Sequence, residues 1–316
     1  MKQISLSSVA VLGAALIFTS CGGSPSVSLP EVPEASVNFI VASDLGRNGY
    51  YEQRTIAQLM GYTAEKIDIE LVAAAGDVHH FGGVASVSDP LWMTNYELIY
   101  DHPELMLEWS VVCGNHEYRG NTQAVLDYSR VSRRWSAPAY YYTKTLTAED
   151  GAACRLVFIN TTPLMSKYRS DTLTYPDAHR QDAAAQLQWI DSVLEHATEK
   201  WKIVIGHHPV YAGTKKDSSE RADMQACLAP ILEKHKVDAY FCGHIHNFQH
   251  IRPAGSTVSY VVNSAGSLAR RVEAAPEALF GSGNPGFTLC SATANAFSFF
   301  FINHKGKVIY SYAISK

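Results

Sequence analysis

Five strands predicted in this 316-residue chain each end directly before metal-ligating side chains, and this pattern limits the fold more than any other feature. The clearest case is the apolar run 69–75, which is typical of a buried strand and ends at Gly76 and Asp77. Gly-Asp after a strand is often only a turn. The other four exits carry Asp44, Asn115, His207, and the pair His244 and His246. Five such exits by chance are improbable, so the pattern indicates one shared site.

The order of the predicted elements defines the fold class. Helices are predicted at 51–60, 91–100, 122–135, 182–199 and 221–236. Strands are predicted at 36–42, 69–75, 109–112, 140–147, 154–160, 202–205, 238–241, 256–262, 287–290, 296–302 and 308–314. Strand and helix alternate first, and strands dominate the last third. This order predicts an α/β domain with two packed mixed β-sheets flanked by helices, with its site at the carboxyl ends of strands.

The composition is that of a globular protein, with 47% hydrophobic and 18% charged residues. The length allows one large domain or two small ones. The formal net charge of −4 and the absence of a long basic run argue against nucleic acid as the main partner. Arg130, Arg133 and Arg134 are interpreted as the solvated face of the helix predicted at 122–135.

The N-terminus is typical of an export signal. One lysine precedes the apolar stretch 4–19, which is too short to span a membrane. Ser20 before Cys21 resembles the bacterial lipoprotein cleavage box, which implies a lipid on Cys21; a plain secretory signal with a chance cysteine is the alternative. We therefore predict a signal peptide at 1–20, a proline-containing linker at 21–36 and the domain at 37–316. The predicted location is the bacterial cell envelope, in the periplasm or at the outer membrane.

Five cysteines remain once Cys21 is set aside, and no pair has the CxxC spacing. The odd number predicts at least one thiol that is free or paired between chains. The missing CxxC spacing argues against a zinc ribbon and a thioredoxin-type motif.

The histidines allow more than one interpretation. His244 and His246 are two residues apart and would share a face if they lay on one strand, which a structural pair would also do. His79 and His208 each adjoin a candidate ligand and are interpreted as residues that support the ligands or pack in the core, because neighbours on extended backbone point apart. His116 is either a satisfied structural histidine or a group that contacts a transition state or protonates a leaving group.

Taken in order, the motifs GD (76–77), GNHE (114–117), GHHP (206–209) and GHIH (243–246) resemble the calcineurin-like metallophosphoesterases. The segments 89–135 and 237–251 are similar to the small purple acid phosphatases, also called tartrate-resistant acid phosphatases. This resemblance implies the αββα fold and two metal ions. The first metal would bind Asp44, Asp77, His80 and His246, and the second would bind Asp77, Asn115, His207 and His244. His116 would face the substrate phosphate without binding metal.

His80 departs from that family pattern. The resemblance places a tyrosine there in purple members, where its phenolate on iron(III) gives the colour, so we expect a colourless protein. Two divalent ions with two aspartates leave the same net charge as iron(III), a divalent ion, two aspartates and a tyrosinate. His80 therefore favours two divalent metals, and the oxygen and imidazole donors suit zinc, iron(II) or manganese. Leu45, Glu117, His208 and a lysine at 215 or 216 are smaller departures, which bear on substrate preference.

The function predicted from these residues is hydrolysis of phosphate monoesters. Two metals about 3.5–4 Å apart clamp a phosphoryl group and provide metal-bound hydroxide as the nucleophile. The predicted partner is a small phosphate monoester, and His116 would stabilise charge or protonate the leaving oxygen. Two alternatives stay open: a phosphodiesterase with the same site, and a non-catalytic surface-binding lipoprotein.

Overall fold

A computed structural model of the chain describes residues 27–216, 218–263 and 266–316. Its strands are β1 (Val37–Ala42), β2 (Leu71–Ala74), β3 (Glu108–Val111), β4 (Trp135–Ser136), β5 (Tyr142–Thr147), β6 (Ala153–Phe158), β7 (Trp201–Ile205), β8 (Ala239–Cys242), β9 (Phe248–Ile251), β10 (Ser259–Val262), β11 (Ala278–Ser282), β12 (Gly286–Ala292), β13 (Ala296–Asn303) and β14 (Val308–Ser315). Its α-helices are α1 (Gln53–Lys66), α2 (Thr122–Asp127), α3 (Ser166–Ser170), α4 (Ala183–Glu195), α5 (Ser218–Cys227) and α6 (Ala229–Lys234). Short 3-10 helices lie at Pro103–Leu105, Glu117–Arg119, Tyr128–Arg130, Thr162–Leu164 and Ala178–Arg180, and a π-helical turn lies at Met93–Glu97.

The strands form two seven-stranded mixed sheets, as the sequence predicts. The first has the order β14-β13-β12-β1-β2-β3-β4, with β1 to β4 parallel and β12 to β14 antiparallel. The second has the order β11-β9-β10-β8-β7-β6-β5, with β6, β7, β8 and β10 parallel. Each sheet therefore contains a block of four parallel strands, whose carboxyl ends lie on the same side of the sheet.

Aromatic side chains fill the space between the two sheets. Phe241 of β8 meets Phe299 of β13 with ring centroids 5.7 Å apart, and Phe248 of β9 stacks on Phe301 of β13 at 4.5 Å. Because successive strand residues point to opposite faces, Phe39 joins this inner cluster while the adjacent Ile40 joins the cluster under the helices. Both faces of the central strands are thus buried, which explains their continuous apolar runs.

The helices cover the outer faces through apolar stripes. In α1 the buried side chains include Ile56, Leu59 and Met60, at the spacing that places them on one face. The helix α4 begins where the Asp182 carboxylate accepts a hydrogen bond from the backbone N–H of Ala185 at 2.9 Å, an N-cap. None of the helices in the described residues combines the length and the apolar composition that a bilayer crossing requires.

The helix predicted at 122–135 is wrong in its second half. Only α2 and a short 3-10 helix form, and the chain then enters β4 at Trp135. The solvated-face interpretation also fails for Arg134. Its side chain is buried, pairs with Glu97 at 2.8 Å and lies 4.3 Å above the ring of Tyr96. Burial of Trp135 and Arg134 against the sheet overrides the helical pattern, because tertiary packing outweighs intrinsic propensity.

Besides β4, two further strands were not predicted, and one predicted helix is divided. The strand β9 contains buried Gln249 and His250, whose polar atoms bond to Gly213 and to the Tyr310 hydroxyl, so no apolar run marks it. The strand β11 is a short, largely exposed edge strand. The helix predicted at 221–236 is two helices, α5 and α6, which meet near Pro230.

The predicted signal peptide and Cys21 lie outside the described residues, and the linker predicted at 21–36 is described only from Val27 onward. This described part lies on the domain: Ser28 forms a bridge with Lys307, and Leu29 and Val32 pack against the core. The five remaining cysteines are all free thiols, and four of them are buried. These thiols serve as small apolar side chains.

Candidate metal centre

The loops that follow five parallel strands meet at one edge of the two sheets. The loops after β1, β2 and β3 carry Asp44, Asp77 and Asn115 from the first sheet. The loops after β7 and β8 carry His207 and then His244 and His246 from the second sheet. A backbone hydrogen bond of 3.0 Å from Asp44 N–H to the Gly76 carbonyl joins the first two loops. The centre therefore lies between the sheets.

His244 and His246 lie in the loop after the strand, as predicted, so the alternative in which they share one face of a strand does not apply. Strand β8 ends at Cys242, and both histidines have positive φ, 68° and 63°. Asp44 and Asp77 are also left-handed, with φ of 53° and 54°. Non-glycine residues in this region cost about 1–3 kcal/mol each and cluster at functional sites. Four of the predicted ligands are thus held in unfavourable backbone conformations.

Two glycines of the sequence motifs are required by close approach. A Cβ atom on Gly114 would lie 2.2 Å from Asp77 Oδ1, and one on Gly243 would lie 2.5 Å from Asp44 Oδ2. Both distances are far below van der Waals contact. The glycine that opens each of these motifs therefore makes room for a carboxylate delivered by another strand.

Asp77 is the central carboxylate of the cluster. Its Oδ2 atom lies 3.2 Å from His207 Nε2, 3.5 Å from His80 Nε2 and 3.8 Å from His116 Nε2. Its Oδ1 atom accepts a hydrogen bond from the backbone N–H of His116 at 2.9 Å. This bond brings the loop that carries Asn115, the residue before His116, next to Asp77. Asp77 thus lies between histidines of both sheets, as a bridging ligand would.

Asp44 occupies the other end of the cluster. Its Oδ1 atom lies 3.2 Å from His246 Nε2. Its Oδ2 atom accepts hydrogen bonds from the Ser43 hydroxyl at 2.7 Å and from His244 N–H at 2.9 Å. One oxygen is therefore used to hold the loops together, and the other remains available to a cation.

Three of the histidines have one ring nitrogen fixed by a hydrogen bond. Nδ1 of His207 donates to the Ala75 carbonyl at 2.9 Å, and Nδ1 of His246 donates to the Leu268 carbonyl at 2.8 Å. Nε2 of His244 donates to Glu220 Oε2 at 2.9 Å. Each bond sets the tautomer of the neutral ring, in which the other nitrogen is the one that can bind a metal.

Several buried donor atoms of the cluster have no hydrogen-bond partner in the described residues. They are Asp44 Oδ1, Asn115 Oδ1, His207 Nε2 and both ring nitrogens of His80. Unpartnered buried polar atoms are costly and rare in folded proteins. Carboxylate, amide and imidazole donors left free around one carboxylate fit a pair of cations.

Electrostatics within the cluster favour a cation. Burial alone would raise the pKa of Asp77, but neighbouring imidazoles, His207 first, hold that pKa well below its usual value. Burial opposes a charge on His207, yet Asp77 and Asp44 outweigh burial and raise its pKa to about 9. Burial lowers the pKa of His80 to about 3 and keeps it neutral. In the absence of metal, a proton on His207 therefore takes the place of a cation.

Sequence reasoning missed the roles of two buried glutamates. Glu117 accepts the backbone N–H groups of Asp77 at 2.9 Å, Gly114 at 2.7 Å and His79 at 2.9 Å, and so joins two of the loops. Glu220, from α5, orients His244 as described above. No motif marks Glu220, because its contact with His244 is made only by the tertiary fold.

The remaining histidines of the motifs have packing roles, as interpreted from the sequence. His79 is buried with its ring 4.4 Å from that of Trp92. His208 bonds to the Thr161 hydroxyl through Nδ1 and to the Tyr168 hydroxyl through Nε2. Both ring nitrogens of His208 are thus occupied, which removes it as a ligand.

A cavity of about 510 Å³ opens over the cluster. Its lining includes Asp77, Asn115, His116, His244 and His246. Nδ1 of His116 donates to the Phe81 carbonyl at 2.7 Å, so Nε2 is the nitrogen left on the Asp77 side. Basic side chains complete the lining: Arg47, Arg119, Lys167, Lys216 and Arg270. A small anion entering the cavity would meet both the donor cluster and these cations.

Comparison with known proteins agrees with this geometry. The family model for calcineurin-like phosphoesterases matches residues 37–248. Purple acid phosphatase 4 of Arabidopsis thaliana is 33% identical over 76% of this chain and 70% of its own length. Tartrate-resistant acid phosphatase type 5 of Sus scrofa is 27% identical over 82% of this chain and 77% of its own length.

Among solved structures, GAP50, the anchor in the inner membrane complex of Plasmodium, superposes with a TM-score of 0.77 at 22% identity. The match covers 89% of each chain, and at this identity it shows a shared fold alone. The family match and the sequence relatives carry the assignment. The chain belongs to the calcineurin-like phosphoesterases, with purple and tartrate-resistant acid phosphatases as relatives.

Proposed function

We propose that this protein hydrolyses phosphate monoesters with the help of two divalent metal ions. The observation that carries this proposal is the buried cluster around Asp77, where free donor atoms from both sheets face one cavity. The predicted ligands are Asp44, Asp77, His80, Asn115, His207, His244 and His246. The names of the relatives, which are acid phosphatases, support the reaction class.

The chain supplies positioning and a proton donor. The bound metal pair would supply Lewis acidity, which neutralises the phosphate charge and lowers the pKa of the attacking water. Asp77 holds the two halves of the centre together, and Asn115 offers an amide oxygen beside it. The Phe81 carbonyl accepts the Nδ1 proton of His116, so Nε2 donates to a phosphoryl oxygen or to the departing oxygen only when the ring is protonated. Burial lowers the pKa of His116, so acidic conditions favour this donating form.

The test uses metal-stripped protein reloaded with zinc, iron(II) or manganese. An aryl phosphate monoester and the matching diester are compared as substrates. We expect metal-dependent turnover of the monoester and slower turnover of the diester. Faster turnover of the diester would make the protein a phosphodiesterase. Bound metal without turnover of either ester would favour the non-catalytic binding lipoprotein.

We propose in addition that both metals are divalent, because His80 stands where the resemblance places the tyrosine of purple members. Metal analysis and a visible spectrum of aerobically purified protein test this. We expect a colourless protein, and His80→Tyr should gain iron(III) with a visible absorption band. Tightly held iron(III) in the unsubstituted protein would contradict the proposal.

We also propose that the protein is exported and held in the bacterial cell envelope by a lipid on Cys21. The sequence around Cys21 supports this, and the domain would begin near residue 37. Fractionation of cells that express the full chain is the test, with Cys21→Ser as the control. The unsubstituted protein should sediment with membranes and the variant should not. Equal sedimentation would contradict the lipid.

A further inference from the structure

Four basic side chains that line the cavity over the metal centre form no ion pair in the described residues. One of them, Arg119, donates to the Tyr175 hydroxyl at 3.2 Å. The other three, Arg47, Lys216 and Arg270, are called the basic triad below. None of them forms an ion pair with a carboxylate of the described residues, whereas neighbouring lysines do. Lys167 pairs with Glu220 at 2.6 Å, and Lys215 lies 3.7 Å from Glu273.

Arg47 is the most constrained member of the basic triad. Its side chain is only 7% exposed, and its Nε atom is buried without a hydrogen-bond partner. The guanidinium carbon lies 4.7 Å above the ring of Phe81, which holds the group in place. A buried arginine without an anion is unfavourable, so its position points to a negatively charged ligand.

Lys216 and Arg270 lie on the loops next to the metal cluster. Nζ of Lys216 donates to the His244 carbonyl at 2.5 Å, and Arg270 N–H donates to the His246 carbonyl at 2.6 Å. Burial is the main reason that the pKa of Arg47 falls; the charge of Asp44 opposes this fall, and the charge of Arg270 adds to it. The charge of Arg270 disfavours the charges of both Arg47 and Lys216, and an anion bound beside them would relieve this repulsion.

A side cavity extends from the basic triad. It measures about 180 Å³, and Lys216 and Arg270 line both this cavity and the main one. Arg271 adds a further positive charge to the wall of this side cavity. The acidic residue of the wall is Glu273, whose carboxylate lies 3.7 Å from Lys215. A ligand that binds the metal centre therefore has a second, positively charged space within reach.

We propose that the basic triad binds a second phosphate group of the substrate, so that the preferred substrates are organic bisphosphates. Arginine is suited to this role because its fork of donors matches phosphate oxygens. The inference rests on the proposed phosphomonoesterase function and specifies its substrate class. Water adds to the phosphorus at the metal centre and the bond to the alkyl oxygen breaks. That oxygen takes up a proton, and the second phosphate stays intact.

The test compares 3-phosphonopropyl phosphate with propyl phosphate. Each has one cleavable phosphate and a similar leaving oxygen, and only the first carries a second phosphate-like group. With metal-loaded protein we expect KM about tenfold lower for 3-phosphonopropyl phosphate, with similar kcat, from one or two charge-assisted hydrogen bonds. Arg270→Gln should remove most of this difference, and Arg270→Lys should restore part of it.

Arg133→Gln is the matched control, because Arg133 is exposed and lines none of these cavities. It should leave the KM difference intact. Equal KM values for the two esters in the unsubstituted protein would overturn the inference while the phosphatase function stands. Equal losses in Arg270→Gln and Arg133→Gln would also overturn it, because they would reflect net charge alone.

Binding measured by calorimetry separates this inference from the proposed function. Propane-1,3-bisphosphonate and propylphosphonate cannot be hydrolysed, so their affinities do not depend on turnover. We expect the bisphosphonate to bind about tenfold more tightly, with the difference reduced in Arg270→Gln. If neither ester is hydrolysed but this difference appears, the function fails and the anion site stands. Equal binding of the two phosphonates would refute the anion site.

Discussion

The histidines of the candidate centre fall into two groups that the fold holds differently. His207, His244 and His246 each have one ring nitrogen fixed by a carbonyl or carboxylate. Both nitrogens of His80 are buried without a hydrogen bond, and its ring contacts those of His116 and His246 at centroid distances of 4.2 and 5.7 Å. The first group is therefore oriented by the protein, whereas His80 is oriented by packing and by whatever it binds.

This difference between the two groups of histidines determines how much each of them contributes to the free energy of metal binding. A ligand whose orientation is fixed before binding loses little conformational entropy, whereas a less constrained ligand loses more. His80, where the resemblance places the tyrosine of purple members, is also the histidine of the cluster with the fewest hydrogen-bond partners. We therefore expect substitutions to have effects that decrease from Asp77, through the partners of the fixed histidines, to His80.

The largest effect is expected from Asp77→Asn. Asp77 lies beside three histidines, and its charge holds the cluster together, so its loss removes a ligand of both proposed metals. Activity and bound metal should both fall more than about 100-fold, beyond the loss that is typical of removing an outer partner. Phosphatase assays and metal analysis are the measurements.

Asp127→Asn is the matched control for this substitution. Asp127 lies at the end of α2 and pairs with Arg130 at 3.5 Å, a surface contact that contributes little. Its substitution should leave metal content and activity unchanged. Full metal content in Asp77→Asn would contradict the bridging role of Asp77. The expected order of effects, from Asp77 to the fixed histidines and then His80, would then be wrong.

An intermediate effect is expected from Glu220→Gln. Glu220 accepts the Nε2 proton of His244, and its other oxygen bonds to the Tyr168 hydroxyl at 2.8 Å and to Lys167. Glutamine keeps the shape but removes the charge that orients the imidazole. Loss of such a partner typically costs about 10–100-fold in metal affinity. Titration with zinc or manganese should show this loss for one metal of the pair, on the His244 side.

Glu195→Gln provides the control, because Glu195 is exposed at the end of α4. An equal fall in affinity for both metals in Glu220→Gln would indicate a general loss of structure rather than misorientation of His244. Unchanged affinity would show that His244 does not need its carboxylate partner. The distinction between the fixed histidines and His80 would then lose its basis.

The sequence predicts the sheets and the cluster well because each predicted ligand follows a buried apolar strand. The parallel order of the strands places Asp77 and His207 at one edge without knowledge of side-chain contacts. Glu220 and Arg47 could not be predicted in this way. Their roles depend on where α5 and the loop after β1 pack in three dimensions, and neither residue stands in a motif. The helix predicted at 122–135 failed for the same reason, because burial of Trp135 outweighs its helical context.

The smallest effect is expected from His80→Asn, measured as the rise in melting temperature when metal is added. A ligand present at about 100 times its Kd stabilises the folded state by about 2.7 kcal/mol. Loss of the less oriented His80 should weaken binding by no more than about tenfold, which corresponds to about 1.4 kcal/mol. At about 2–4 °C per kcal/mol, the metal-induced rise should shrink by roughly 3–6 °C and not vanish.

The exposed His179 provides a matched His→Asn control, and its substitution should leave the metal-induced rise unchanged. Without metal, His80→Asn should melt at or slightly below the temperature of the unsubstituted protein, because the smaller amide leaves space in the site and brings polar atoms that are also without partners. If the rise vanishes in His80→Asn as it does in Asp77→Asn, His80 contributes as much as the bridging aspartate. In that case packing alone orients an imidazole as firmly as a hydrogen bond does, and the two groups of histidines are equivalent.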